Sequence, residues 1–156
     1  MPELVAKVLT VSDGVVAGTR ENTSADALVE VLTRAGFTVA DRRVVGDGVE
    51  SVAAALTDLC AGFVGLVVTT GGTGFGPRDL TPEGTKTVID REAPGLAEAM
   101  RLVSPLGRLS RAVAGTRHQA LIVNTPGSSA GAIETLTAVL DVVPHALDLL
   151  AGGHPH

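Results

Sequence analysis

Residues 69–85 read TTGGTGFGPRDLTPEGT, with glycines at 71, 72, 74 and 76 followed at once by Pro77, Arg78 and Asp79. Glycine at that density is entropically costly, so it marks backbone that must turn unusually or let another group come close. Three other short stretches share the small or acidic make-up: Ser12-Asp13-Gly14, Gly46-Asp47-Gly48 and residues 124–129, which include Asn124, Pro126, Gly127 and Ser128. Small side chains leave room and bare main-chain N–H groups, the donors from which a phosphate cradle is made. Gly71, Gly72, Thr73 and Gly74 are its centre. The familiar phosphate motifs do not fit. Gly71 and Gly76 have the glycine spacing of a P-loop, but Pro77-Arg78 stands where Lys-Ser/Thr would hold phosphate and Mg²⁺. A dinucleotide fingerprint begun at Gly72 fails at Pro77. Both results argue against an NTPase and a nicotinamide oxidoreductase; a purely structural glycine turn leaves the adjoining Arg78 and Asp79 unexplained.

The remaining reactive residues narrow the chemistry further. Cys60 is the sole cysteine, which excludes an intrachain disulfide and suits a cytosolic setting. Flanked by Leu59 and Ala61, it reads as a buried side chain rather than a nucleophile. His118, His145, His154 and His156 have no zinc-ligand spacing. Between Glu98 and Glu134 there is no Asp or Glu, while Arg101, Arg108, Arg111 and Arg117 all fall there. That segment is either a solvated basic face or a local anion site. The whole chain has a net charge of −5, with three Phe and no Trp or Tyr. Neither a basic field nor a stacking platform is available for nucleic acid. MPELVAK lacks a signal-peptide layout, and no apolar run reaches membrane-spanning length.

The elements that must position these loops follow from periodicity. Residues 4–11 and 37–45 read as strands, and residues 64–70 and 119–125 as nearly continuous apolar strands buried on both sides. Residues 24–35 and 49–61 carry apolar side chains at helical spacing, the first with Ser24 as N-cap and Gly36 as stop. Thr81-Pro82-Glu83 opens a helix, with Thr81 as N-cap, that Pro94-Gly95 breaks before another begins. A closing helix runs from about Ala130 and kinks before Pro144. Strand and helix alternate, which predicts a mostly parallel sheet with helices on both faces: an α/β, three-layer α/β/α sandwich. All four candidate loops follow strands, where ligands sit in such folds.

TTGGTGFGPRDLTPEGT, together with VSDGVVAG, APGLAEAM, LSRAVAGTR and LIVNTPGSS, resembles the signature of a molybdenum-cofactor biosynthesis family. That family comprises the MogA and MoaB proteins and the G domains of gephyrin and its plant counterpart. The resemblance covers essentially residues 1–156, implying one molybdopterin-binding domain. The activity it implies is that of a molybdopterin adenylyltransferase. AMP passes from ATP to the terminal phosphate of molybdopterin and pyrophosphate leaves, before a later enzyme exchanges the adenylate for molybdate. It further implies Mg²⁺, a homotrimer in the cytoplasm, and hand-over to a molybdenum insertion protein. No membrane is implied. A phosphomonoester is already anionic near neutral pH and needs no activating His or Cys. The task is to bring two anions together, for which Mg²⁺, main-chain N–H groups and guanidinium groups suffice.

By the same resemblance, Asp47 and Asp79 match the family's two important aspartates and would place Mg²⁺ and the ATP phosphates. Asp47 suits helix N-capping equally well. Ser110 matches a serine associated with the pterin, while Arg111 serves either an anion or a structural ion pair. Two departures stand out. Asn22-Thr23-Ser24-Ala25 replaces an Asp-x-Ser-Gly, and Ser129 replaces a proline. Alternatives to adenylyl transfer are a MoaB-type pterin binder, a trimerising binding module and a nucleotide-pyrophosphate hydrolase.

Overall fold

The computed structural model describes residues 3–154, so His156 lies outside the described residues. Four strands run parallel: β1 (Val5–Val11), β2 (Thr38–Val45), β3 (Gly65–Thr70) and β6 (Ala120–Thr125). Two short strands, β4 (Arg91–Glu92) and β5 (Ala114–Arg117), extend the sheet antiparallel beyond β6. The strand order is β2-β1-β3-β6-β5-β4.

Burial tracks position in the sheet. Every residue of the central strands β3 and β6 is buried, which is why both are apolar without alternation. Along the edge strand β2, half-buried and exposed residues alternate, the period expected of a strand with one open face. Helices pack on both faces. One core gathers Leu28 and Leu32 of α2 (Thr23–Arg34), Met100 of α5 (Pro94–Arg101), Leu136 of α6 (Ser129–Leu140) and Leu147 of α7 (Val143–Leu150). The other packs Val52, Leu56 and Leu59 of α3 (Val49–Cys60) beneath Leu9, Val67 and Ile122. The expected three-layer α/β/α sandwich is thus the observed one. No helix among the described residues is long and apolar enough to cross a membrane.

At the carboxyl edge, Thr10, Thr70 and Thr125 stand in register across β1, β3 and β6. Their hydroxyls tie loops and neighbouring strands together. Thr10 donates to Asn22 Oδ1 at 2.8 Å, Thr70 to Pro126 O at 2.8 Å, and Thr125 to Thr69 O at 2.8 Å. Asn22 and Ser24 therefore anchor an edge of the site in their own way, Ser24 Oγ lying 3.0 Å from Thr70 Oγ1.

Several local expectations need correction. Ser24 is inside α2 rather than its N-cap, which is Asn22, because its hydroxyl is taken up by Thr70. Leu80, not Thr81, caps α4 (Thr81–Lys86); Thr81 instead donates its hydroxyl to Gly71 O at 2.9 Å, pinning the glycine loop. Pro94 does not break that helix: α4 has already ended at Lys86, and residues 91–92 pair with β5 before Pro94 opens α5. The closing helix is two helices, because Pro144 fits the first turn of α7 but not the interior of a continuous helix.

Candidate active site

A cavity of about 740 Å³ opens at the carboxyl ends of β1, β3 and β6. Of the residues the sequence singled out, Ser12, Asp47, Gly71, Gly72, Thr73, Gly74, Asp79, Ser110, Asn124, Pro126, Gly127 and Ser128 all line it. Asp13, Arg78 and Arg111 do not; they brace its wall from behind.

The glycine loop is held by several ties. Gly71 has φ +102°, and a Cβ there would lie 2.2 Å from Val11 O, so only glycine lets β3 leave the sheet beside β1. Asp79 folds its carboxylate back under the loop, accepting from the Gly76 amide at 2.9 Å. A Cβ on Gly74 or Gly76 would stand 3.0 or 2.8 Å from Asp79 Oδ2, so the loop is bare where this carboxylate approaches.

Asp47 reaches the same loop from the end of β2. Its Oδ1 is 3.2 Å from where a Gly72 Cβ would stand, and its Oδ2 accepts from the Asp13 amide at 2.9 Å. Asp13 returns the bond, its Oδ1 accepting from the Asp47 amide at 3.0 Å. The N-capping alternative for Asp47 does not hold: Gly48 is the N-cap of α3 and no side chain caps it. Burial pushes the Asp47 carboxyl above the usual aspartate range, and the charges of Asp13 and Asp79 add to that shift. Asp47 and Asp79 thus approach the glycine loop from different elements and line one cavity.

Arg78 stands behind this pair. Its Nε and Nη2 reach the Asp13 carboxylate at 3.0 and 3.2 Å, and Nη2 also donates to Asp47 O at 2.9 Å. The guanidinium holds the Asp13 carboxyl below the usual aspartate range. Arg111 follows its structural alternative. Its Nη1 pairs with Glu83 Oε2 at 2.6 Å, Nε donates to Gly74 O at 2.8 Å, and Nη2 to Asp79 O at 2.6 Å. Its amide donates to Thr73 O at 2.9 Å, so one arginine gathers most of the loop. Its side chain borders a separate cavity of about 320 Å³ on the far side of residues 110–112.

Asn124 lines the cavity but spends its side chain inward. Oδ1 accepts from the Val113 amide at 3.0 Å, while Nδ2 donates to Thr69 and Thr85 hydroxyls at 3.0 and 3.1 Å. Ser12 accepts from the Val15 amide as the N-cap of α1 (Asp13–Val16), and Ser128 accepts from the Gly131 amide as the N-cap of α6. Cys60 is buried and its thiol is pushed up to about 11 by that burial, in keeping with an inert side chain. Among the described residues no group of three or more acidic, His or Cys side chains could hold a metal.

Sequence reasoning missed part of the wall. Arg20, Glu21 and Glu134 line the cavity, as do Val103 from the turn after α5 and Leu106 and Leu109 from the 3₁₀ turn Pro105–Leu109. The available signal was Leu106 and Leu109 within a Pro- and Gly-containing stretch that no helical period could bury; they are 73% and 54% exposed.

Residues 7–145 match the family model described as a probable molybdopterin binding domain. The molybdopterin adenylyltransferase of Helicobacter pylori strain J99 is 38% identical over 154 residues, covering 94% of this chain and 88% of the relative. That of Escherichia coli K12 is 37% identical over 164 residues, covering 93% and 84%. The crystal structure of the molybdopterin biosynthesis enzyme MoaB from Thermus thermophilus is 46% identical, with a TM-score of 0.89 and coverage of 96% and 97%. With matching sequence, matching fold and the motif glycines and aspartates gathered on one cavity, the chain belongs to the MogA/MoaB family of molybdenum-cofactor biosynthesis proteins.

Proposed function

We propose that this chain is a molybdopterin adenylyltransferase, transferring AMP from ATP to the terminal phosphate of molybdopterin and releasing pyrophosphate. The observation that carries the reading is the meeting of Asp47 and Asp79 on one glycine-walled cavity, in a chain 37–38% identical to named adenylyltransferases. In the reaction, a phosphate oxygen of molybdopterin attacks the α-phosphorus of ATP. The new P–O bond forms as the bond to the β-phosphate oxygen breaks, and that electron pair leaves with pyrophosphate. No proton need be taken from the nucleophile, which agrees with a cavity lined by neither His nor Cys among the described residues.

The protein's share is positioning and charge compensation. Amides of Gly72, Thr73 and Gly74 serve phosphate oxygens, and Ser110 the pterin side. Arg111 keeps the loop in shape, and Arg78 fixes Asp13 against Asp47. The donor set fits Mg²⁺, which is commonly held by one or two carboxylates with the remaining positions left to water and substrate phosphate. Asp47 and Asp79 supply that pair, and the mutual repulsion felt at Asp47 is what a cation would relieve. When bound, Mg²⁺ would neutralise phosphate charge as pyrophosphate departs. A homotrimer, a cytoplasmic setting and hand-over to a molybdenum insertion protein complete the reading, on the strength of the resemblance alone.

A MoaB-type binder without transfer activity is the second reading, kept because the 46% identity to the Thermus MoaB ties the chain to MoaB proteins as well as to adenylyltransferases. Incubation with ATP, Mg²⁺ and molybdopterin separates them: adenylylated molybdopterin is the expected product. Ligand binding without product favours the binder, and ATP cleavage without adenylylated pterin favours a hydrolase. Asp79→Asn is expected to lower turnover by about 10²-fold or more with the fold retained, judged from the loss of a positioned electrostatic group. Wild-type-like turnover in that variant overturns the role given to Asp79.

A further inference from the structure

The arginines that the sequence offered to an anion are engaged elsewhere. Arg101 Nη1 donates to Ala112 O at 2.8 Å, Arg108 Nε to Pro105 O at 3.1 Å, and Arg117 Nη1 to Val88 O at 2.8 Å. Arg111 and Arg78 are engaged with the glycine loop and with Asp13. Among the described residues lining the main cavity one cation remains, Arg20, which lies on the stretch between α1 and α2. No ion pair or side-chain hydrogen bond among the described residues engages its guanidinium. Glu21, Asp47, Asp79 and Glu134 line the same cavity, and none of them pairs with it.

The placement of Arg20 is built rather than loose. Its amide donates to Gly14 O at 3.2 Å, and the Thr19 amide and hydroxyl share that carbonyl at 3.0 and 3.2 Å. The side chain then lies over Gly14: a Cβ there would stand 3.2 Å from Arg20 Cβ and 3.6 Å from Cδ. The missing side chain at position 14 makes the bed in which this stem rests. An unpaired guanidinium at the mouth of an otherwise acidic cavity has one chemical partner of choice, an oxyanion it can grip through two N–H groups.

We propose that Arg20 binds a phosphate oxygen of a substrate in this cavity, supplying the cationic contact that the arginines engaged elsewhere do not. The inference rests on the function proposed above, and the phosphate could belong to the nucleotide or to the pterin. Titration calorimetry of the full chain with Mg²⁺–ATP and, separately, with molybdopterin distinguishes the two sources, using the parent, Arg20→Ala and Arg20→Lys. Arg20→Ala is expected to weaken one ligand by about tenfold or more, as for loss of a charge-assisted hydrogen bond, while Arg20→Lys recovers part of the affinity. The contact should also fade with salt, so the gap between parent and Arg20→Ala narrows from low to high ionic strength. The melting temperature should not move, since Arg20 is exposed. Loss for ATP assigns the contact to the nucleotide, loss for molybdopterin assigns it to the pterin, and loss for both places Arg20 where it touches both. If both affinities of Arg20→Ala stay within about twofold of the parent, the proposal fails while the function stands. If the parent binds neither ligand, the function and the proposal fall together.

Discussion

At the scale of single residues, Asp47 and Asp13 are neighbours with opposite acid–base character. Burial and nearby negative charge raise the Asp47 carboxyl, whereas the Arg78 guanidinium lowers that of Asp13. The two signs give opposite pH behaviour. An aspartate raised in the folded state disfavours folding once ionised, and that cost disappears as pH falls through its folded value. A lowered one contributes stability above its unfolded value and loses it as pH falls through the folded value, so acid weakens the Asp13–Arg78 clamp. The Asp47 carboxyl, followed by NMR, should therefore titrate above an ordinary aspartate. Asp79→Asn should bring it down by removing a like charge, and added Mg²⁺ should do the same. No movement in Asp79→Asn would mean that the two carboxylates are not coupled. The positions and contacts of these residues were legible from sequence to different depths. Asp79 follows its glycines directly, whereas the Asp13–Asp47 exchange joins residues 34 apart and no spacing rule announces it. Arg111 shows the limit most clearly. Its position in an acid-free run left an anion contact and a structural ion pair equally open, and only coordinates reveal that its side-chain donors end on the Glu83 carboxylate and on the carbonyls of Gly74 and Asp79.

At the scale of elements, β3, the glycine loop and α4 act as one unit: strand, bend, then a helix whose first threonine reaches back to Gly71 O. Glycine is required at the hinge, whereas a position such as Gly95 has room for a side chain, which makes paired substitutions informative. Gly71→Ala, with its positive φ and the carbonyl of Val11 in the way, is expected to destabilise by on the order of 2–3 kcal/mol or more in urea unfolding. Gly95→Ala, in α5 with nothing within 4 Å of the added methyl, should be neutral or stabilising by up to about 1 kcal/mol. Equal effects at both positions would remove the case for a constrained hinge. Central strands were readable because burial on both faces leaves an unbroken apolar run. The β4–β5 pairing was not, since a two-residue strand and one carrying Gly115 leave no period to detect. The cap of α2 was misread because a buried threonine competes for the Ser24 hydroxyl, a tertiary bond that local propensity cannot foresee.

At the scale of the whole molecule, alternation of strand and helix gave the layers, but not the strand order, because periodicity describes a strand's faces and not its neighbours. The order matters, since it is what brings β1, β3 and β6 side by side and stacks their terminal threonines into a row. The walls above that row come from Thr10 at one end of the chain to Thr135 near the other. A pocket assembled from such remote pieces has no stable existence in any fragment. Filling it must stiffen the entire protein at once: at a hundred times its dissociation constant, a ligand should add about 2.7 kcal/mol to global stability. Amide exchange should slow in β1, β3 and β6 together, rather than in one loop alone. Recognition and folding would then be one cooperative transition, and a lesion far from the cavity that loosens the sheet would be felt as lost affinity.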